Sequence, residues 1–152
     1  MQRKRLLVPL LIVVVIALVA CQPVMPPTPA PESGSDAASM PLAGTEWLLN
    51  QMQGQQLVHD ATVTARFSDD GMLTGRAGCN EYATTYVVDG TNLMIDPNFD
   101  SGTEVCGEVW MTVQSVYLAS LQQVASYEIQ GSVLFMRNGD GAVTLVFGAG
   151  SE

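Results

Sequence analysis

The sequence predicts a mainly β (α+β) fold, a small rolled antiparallel sheet or barrel with one amphipathic helix packed on it. Three observations support this prediction: short runs alternate apolar and polar residues, turn signals separate these runs, and one longer segment has helical spacing. A period of two is typical of a strand with one buried face. Strands spaced by about 8–12 residues, with tight turns between them, are typical of a meander, a rolled sheet or a small barrel.

Five short runs carry the alternating pattern. In the first of them, Val63, Ala65 and Phe67 fall on one face, and Thr64 and Arg66 fall on the other. The runs are residues 61–67, 92–95, 127–129, 133–136 and 143–147. Asp-Gly, Asn-Gly and related sequences separate them at residues 69–71, 89–90, 130–131 and 138–141. Because such sequences supply the positive φ angles of tight hairpins, we expect antiparallel neighbours.

Residues 108–124 have a different spacing. Their apolar positions are Val109, Val113, Val116, Tyr117, Leu121 and Val124. Steps of three and four residues predict an amphipathic helix that packs against the sheet and closes an open end of the roll. Residues 101–104 form a candidate capping box before it, and Thr103 alone is an alternative cap.

The N-terminal residues 1–20 have the basic stretch and the apolar run of a secretory signal peptide. The apolar run, residues 6–20, would span about 22 Å as a helix, which is short of a bilayer core of roughly 30 Å. Leu18-Val19-Ala20-Cys21 resembles the bacterial lipobox. This resemblance implies that Cys21 becomes the first mature residue and carries acyl chains such as palmitate, so that it anchors the protein in a membrane. The alternative is an ordinary signal peptide with a chance cysteine.

Residues 21–41 are predicted to be a disordered tether rich in proline and serine between this anchor and a folded domain at residues 42–148. We therefore expect a location in the bacterial cell envelope, facing the periplasm or the cell exterior.

The charge balance excludes one class of partner. The chain has 6 Lys and Arg against 15 Asp and Glu, a net charge of −9. Three of the basic residues lie within residues 1–20, so the remainder has 3 − 15 = −12 and no lysine. Because phosphate contacts need Lys and Arg, we expect no nucleic acid as a partner.

Two cysteines remain once Cys21 is assigned to the lipid. In an oxidising compartment Cys79 and Cys106 are predicted to form a disulfide. The alternative is a catalytic thiol with His59 as its base, although nothing in the sequence marks a third group that would orient this histidine. His59 is otherwise a solvated residue of a polar loop.

The residues around this cysteine pair carry a family resemblance. The motif Gly75-x-x-Gly78-Cys79-Asn80-x-Tyr82 and the later Thr103-x-x-Cys106 follow an opening segment that contains Trp47. This order resembles the META domain family, which includes the HslJ-like lipoproteins. The resemblance implies a small, mostly β domain with one helix, often on an envelope lipoprotein, that is associated with stress or antibiotic tolerance and has no established enzymatic activity. One departure is Gln114, where the family's helix often carries an acid.

The residues of the motif, together with Trp47, can serve one of two roles, in folding or in binding. As a folding device, Gly78 suits a bent strand, Asn80 satisfies backbone groups, and Tyr82 and Trp47 bury large rings. Alternatively, these four residues form the rim of a binding surface.

The acidic loop at Asp96, Asn98 and Asp100 has the i, i+2, i+4 spacing that opens a calcium loop, but its glycine comes one residue late. An EF-hand is therefore excluded. A looser calcium site remains as the alternative to a polar turn.

No phosphate-binding glycine loop, nucleophile elbow or His-Glu-x-x-His motif occurs in the sequence. We therefore expect a non-enzymatic envelope protein without a cofactor, anchored to the membrane at Cys21, that binds an envelope protein or ligand and supports stress or antibiotic tolerance. The alternative is a small-ligand carrier with an apolar cavity inside a β-barrel.

Overall fold

The computed structural model describes residues 41–57 and 61–150. The predicted signal peptide, the predicted tether before Pro41, the predicted lipidation site Cys21 and the loop residue His59 lie outside the described residues.

The described residues form ten strands and one helix. The strands are β1 (Thr45–Met52), β2 (Gln55–Gln56), β3 (Thr64–Phe67), β4 (Met72–Arg76), β5 (Glu81–Asp89), β6 (Asn92–Ile95), β7 (Asp100–Ser101), β8 (Val124–Gln130), β9 (Val133–Asn138) and β10 (Val143–Ala149), and the helix is α1 (Glu108–Gln122). Eight of the strands follow one another in the order β10-β9-β8-β6-β5-β4-β3-β1, and pairing of β1 with β10 closes them into an antiparallel barrel. The short strands β2 and β7 add to β1 and β5. The predicted fold class is confirmed.

All five alternating runs are strands in the structure, and all four turn signals lie in turns between strands. Gly71, Gly90, Gly131 and Gly141 have the positive φ angles that the sequence predicted for these turns. The strands β1, β4 and β5 and the short strands β2 and β7 were not predicted. In β5 the inward face includes the polar Thr84 and the outward face includes the apolar Val87, so the alternation of hydrophobicity is broken.

The barrel interior is filled by side chains. The largest fully buried residues are Trp47, Tyr117, Phe67, Phe147, Leu42, Leu73, Leu93, Leu121, Leu134, Met136, Leu145 and Val63. Tyr117 packs edge-on against Tyr82 and Phe147 at ring-centroid distances of 5.6 and 6.4 Å. Because the described side chains occupy the centre of the barrel, the structure argues against an apolar ligand cavity there.

The helix α1 covers one end of the barrel, as predicted, through the buried residues Tyr117, Ser120 and Leu121. We call this the helix end; β1 and β6 finish there, and β3 and β5 begin there. The opposite end, which we call the turn end, holds the turns at Gly71, Gly90 and Gly131 and is closed by the buried Leu42.

The predicted caps of α1, the box at residues 101–104 and Thr103 alone, are wrong. The helix begins after Gly107, and within the described chain no side chain accepts a hydrogen bond at this cap. Residues 102–106 have no regular secondary structure and are instead bonded to the start of β5 and to the residues just before it, so the first helical turn forms only beyond Cys106. Val124, predicted as the last helical position, opens β8.

Among the described residues, no helix is both long enough and apolar enough to cross a membrane.

Candidate functional site

The motif at residues 75–82 forms a corner between β4 and β5 at the helix end. Gly75 lies so close to β3 that a methyl group in place of its hydrogen would overlap the carbonyl oxygen of Thr64. The usual strand pairing opens at this point, because the N–H of Arg76 donates to the side-chain Oγ1 of Thr64 at 3.0 Å. The backbone carbonyl of Thr64 is therefore available to side chains of the interior.

Two tyrosines use that carbonyl. The hydroxyl of Tyr82 lies 3.1 Å from the carbonyl oxygen of Thr64 and 2.8 Å from the hydroxyl of Tyr117, which itself lies 3.4 Å from the same carbonyl oxygen. Burial raises the pKa of Tyr82 and the pKa of Tyr117 well above the ordinary value for tyrosine. Both phenols therefore stay neutral, and their hydrogen bonds join β3, β5 and α1 inside the barrel.

Asn80 is a buried side chain whose polar atoms are fully engaged. Its Oδ1 accepts from the N–H of Glu104 at 2.9 Å, and its Nδ2 donates to the carbonyl oxygen of Glu104 at 3.1 Å. Gln114 in α1 completes the arrangement, because its Oε1 accepts from Nδ2 of Asn80 at 3.1 Å and from the Asn80 backbone N–H at 3.0 Å. One amide thus binds the loop before the helix to the helix itself.

The predicted disulfide between Cys79 and Cys106 is present, with the Cα atoms 5.9 Å apart. It joins the motif to the residue just before the Gly107 cap, so the start of α1 is pinned to the corner. Gly78 makes the approach feasible with a φ of +90°, and a methyl group there would press on Val113. A sulfur in a disulfide is not a thiolate nucleophile, which argues against the Cys–His alternative.

The four residues that we considered as a binding rim serve the fold. Trp47, Asn80 and Tyr82 are all less than 5 % exposed, and the ring N–H of Trp47 donates to Oγ1 of Thr45 at 2.6 Å. Gly78 supplies the backbone turn. The buried side chains of Trp47, Asn80 and Tyr82 therefore act in folding, whereas Gly78 also lines a depression on the outer surface.

Sequence reasoning missed the role of Gln114, which it noted only as a departure from an acid. The structure explains why both residue types suit the position. The position needs an acceptor for two donors of Asn80, and a carboxylate or an amide oxygen supplies one.

The acidic loop forms a polar turn. Oδ1 of Asp96 accepts from the backbone N–H and from Nδ2 of Asn98, both at 2.8 Å, and these bonds lower the pKa of Asp96. Asp100 lies in β7, paired with Ala83 of β5. Within the part of the chain that the structure describes, no three acidic, His or Cys side chains are grouped so as to hold a metal.

Two open depressions lie on the outer surface at the helix end. One, of about 580 Å³, is lined by small residues such as Thr74 and Ala83 and by the charged residues Arg76, Glu81 and Asp100. The other, of about 570 Å³, lies beyond Arg76 and is lined by Thr62, Arg76, Gly78, Cys106 and Trp110. Both are open and include polar or charged residues, so they suit surface contacts rather than enclosure of a ligand.

Comparisons with known proteins agree with this architecture. An NMR structure of a protein from Burkholderia xenovorans is 20 % identical, with a TM-score of 0.60, and the match covers 84 % of this chain and 100 % of that one. A crystal structure of a DUF4847 family protein from Bacteroides vulgatus is 14 % identical, with a TM-score of 0.55, over 73 % of this chain and 96 % of that one. At these identities the likeness establishes the fold alone. No significant relative is found among the curated proteins.

The sequence profile of the META domain matches residues 40–151, which is most of the chain and includes the whole barrel. The corner motif, the disulfide and the Asn80 hydrogen bonds all lie within the matched residues. The chain therefore belongs to the META domain family.

Proposed function

We propose that this protein is a lipid-anchored, non-enzymatic component of the bacterial cell envelope, whose META domain binds another envelope component through its outer surface and supports stress or antibiotic tolerance. The observation that carries the proposal is the filled barrel. With its centre occupied by aromatic and aliphatic side chains and its ends closed by Leu42 and α1, recognition falls to the outside of the domain.

The anchor rests on the sequence before the domain. Leu18-Val19-Ala20-Cys21 supplies the acylation signal, and residues 22–41 reach at most roughly 60 Å if extended at about 3.1 Å per residue. The chain enters the domain beside Leu42, at the turn end. The helix end, with its disulfide and its two depressions, lies at the other end of the barrel from this entry point.

The anchor is tested by growing cells with an alkyne analogue of palmitate. The wild-type chain should take up the label and sediment with membranes, and Cys21→Ser should do neither. Cys106→Ser is the matched control, which leaves the anchor cysteine in place and should remain labelled. A wild-type chain without label, or a labelled Cys21→Ser chain, would refute the anchor.

Binding is tested with the full chain, purified from detergent-solubilised envelopes of stressed and unstressed cells. The matched control keeps residues 1–41 and lacks residues 42–150. We expect at least one protein to copurify with the full chain and not with the control. Identical sets of proteins from both would refute a binding role for the domain.

The tolerance role has its own readout. Deleting the gene should lower survival under envelope stress or antibiotic exposure. A Cys21→Ser chain should restore less survival than the wild type does, because it is released from the membrane. Unchanged survival of the deletion strain across such stresses would refute this part of the proposal.

A further inference from the structure

The loop before α1 presents an apolar side chain from a rigid backbone. Val105 is 92 % exposed, although both of its neighbours are fixed. The backbone N–H and C=O of Glu104 are both hydrogen-bonded to the Asn80 side chain, and Cys106 is joined to Cys79. The buried polar contacts of the corner thus hold in place a loop whose outermost side chain touches almost nothing in the domain.

A second exposed valine follows four residues later in the chain. Val109, in the first turn of α1, is 56 % exposed, and the partly buried Trp110 follows it beside Cys106. We call Val105 and Val109 the valine knob. Single exposed apolar residues are common on protein surfaces. Here the disulfide and the Asn80 contacts have already ordered the backbone, so a partner would bind without the entropy cost of fixing the loop.

The charged side chains that flank the valine knob in the sequence are acidic. Glu104 and Glu108 flank the two valines and are exposed, and the sequence has no basic residue between Arg76 and Arg137. Arg76, across the neighbouring depression, donates from its Nε to the carbonyl oxygen of Gly78 at 3.3 Å. A surface that meets the knob therefore gains from positive charge at its edge.

We propose that the valine knob docks into an apolar pocket of a protein partner whose pocket is edged by Lys or Arg. This inference rests on the proposed binding function and assigns it a surface and a partner chemistry. A symmetric pairing of two knobs from two copies of the chain is disfavoured because it would bring Glu104 and Glu108 against their equivalents. An anionic bilayer surface is disfavoured for the same reason.

The test places a photo-crosslinking amino acid, p-benzoylphenylalanine, at residue 109 of the full chain in its native host. A matched probe at Val87, which is 58 % exposed on the barrel wall, samples another apolar surface. We expect one discrete crosslinked protein from position 109 and not from position 87. Val105→Ser should lower its yield at least tenfold, whereas Met94→Ser, on the wall, should leave it unchanged.

The charge argument is tested with Glu104→Lys/Glu108→Lys, which should lower the same crosslink by a similar factor. Once the partner has been identified from the crosslink and purified in its free form, its affinity for the full chain should fall as the salt concentration rises. Because all these side chains are exposed, the variants should keep the thermal midpoint of the wild type, and circular dichroism checks this.

Four results would overturn the inference: no crosslink from position 109, a crosslink that Val105→Ser or the charge reversal leaves intact, a crosslink to a second copy, or a crosslink to lipid alone. A protein captured from position 87 instead would leave the proposed binding function standing and refute the knob. The proposed binding role of the domain fails if the chain lacking residues 42–150 copurifies the same proteins as the full chain.

Discussion

The two ends of the barrel are closed by different means. At the turn end, Leu42 is inserted among the core side chains, and glycines at positive φ reverse the chain between strands. At the helix end, closure depends on α1, on one disulfide and on the hydrogen bonds of Asn80 and of the two tyrosines. The turn end uses apolar burial and local turns, and the helix end uses contacts between residues that are far apart in the sequence.

This difference has an energetic consequence. A hydrogen-bonded buried group contributes little net free energy when it is satisfied, but it becomes costly when its partner is removed. The helix end is therefore specified by partners that must all be present, whereas the turn end depends on how well one side chain fills its site. Substitutions at the two ends should differ both in size and in which part of the domain they loosen.

The largest effect is expected from the disulfide. Cys79→Ala/Cys106→Ala should lower the free energy of unfolding by about 3.5 kcal/mol, because the bond closes a loop of about 28 residues in the unfolded chain. Urea unfolding of the oxidised wild type and of the double variant measures this loss. A loss below about 1 kcal/mol would mean that the Asn80 contacts alone hold the helix end. The wild type treated with reductant is the matched control and should behave like the variant.

At the turn end, the substitution to compare with loss of the disulfide is the truncation of the buried Leu42. Leu42→Ala should cost about 3 kcal/mol, since it leaves a cavity among buried side chains. Hydrogen exchange should show the loosening at the turn end, in residues near Gly71 and Gly90, with α1 still protected. If α1 lost protection as well, the two ends would form one cooperative unit and the distinction between them would be wrong.

The same distinction explains what could be predicted from the sequence. Local features of the sequence predicted five strands and the turns between them: a glycine after an aspartate, asparagine or glutamine, and alternation over three to seven residues. Cys79 and Cys106 could be paired because only two cysteines remained after Cys21. The contacts of Asn80 with Glu104 and Gln114 could not be predicted, because they join a corner, a loop and a helix that the fold brings together.

A related cause explains why strand β5 was not predicted from the sequence. In β5 the inward Thr84 donates to the backbone carbonyl oxygens of Asp96 and Asn98, so a polar residue occupies a core-facing position. The helix cap was wrong for a comparable reason. Glu104 is bound by Asn80, and a local capping pattern cannot account for a distant competitor.

Gln114 provides a smaller and more selective test of the helix end. Gln114→Leu removes the acceptor of two Asn80 donors and should cost about 2 kcal/mol. Gln114→Glu keeps an acceptor oxygen at the same place and should cost less than about 0.5 kcal/mol. Thermal or urea unfolding at neutral pH compares the two variants. Equal losses would show that the amide N–H₂ group, rather than the acceptor oxygen, matters at this position.

The smallest effect concerns the paired tyrosines and appears only in alkali. Burial raises the pKa of Tyr82 and of Tyr117 in the folded state, while both titrate near pH 10 when unfolded. Above about pH 10 the unfolded chain therefore loses protons that the folded chain keeps, and the free energy of unfolding should fall, by roughly 1 kcal/mol for each of these tyrosines at pH 11. Below about pH 9 the pair should contribute no pH dependence. Tyr82→Phe should make the decline between pH 10 and pH 11 less steep, which urea unfolding at each pH would measure. If the free energy of unfolding of Tyr82→Phe fell as steeply as that of the wild type, other groups would cause the alkaline sensitivity. The buried tyrosine pair would then not be one of the features that distinguish the helix end from the turn end.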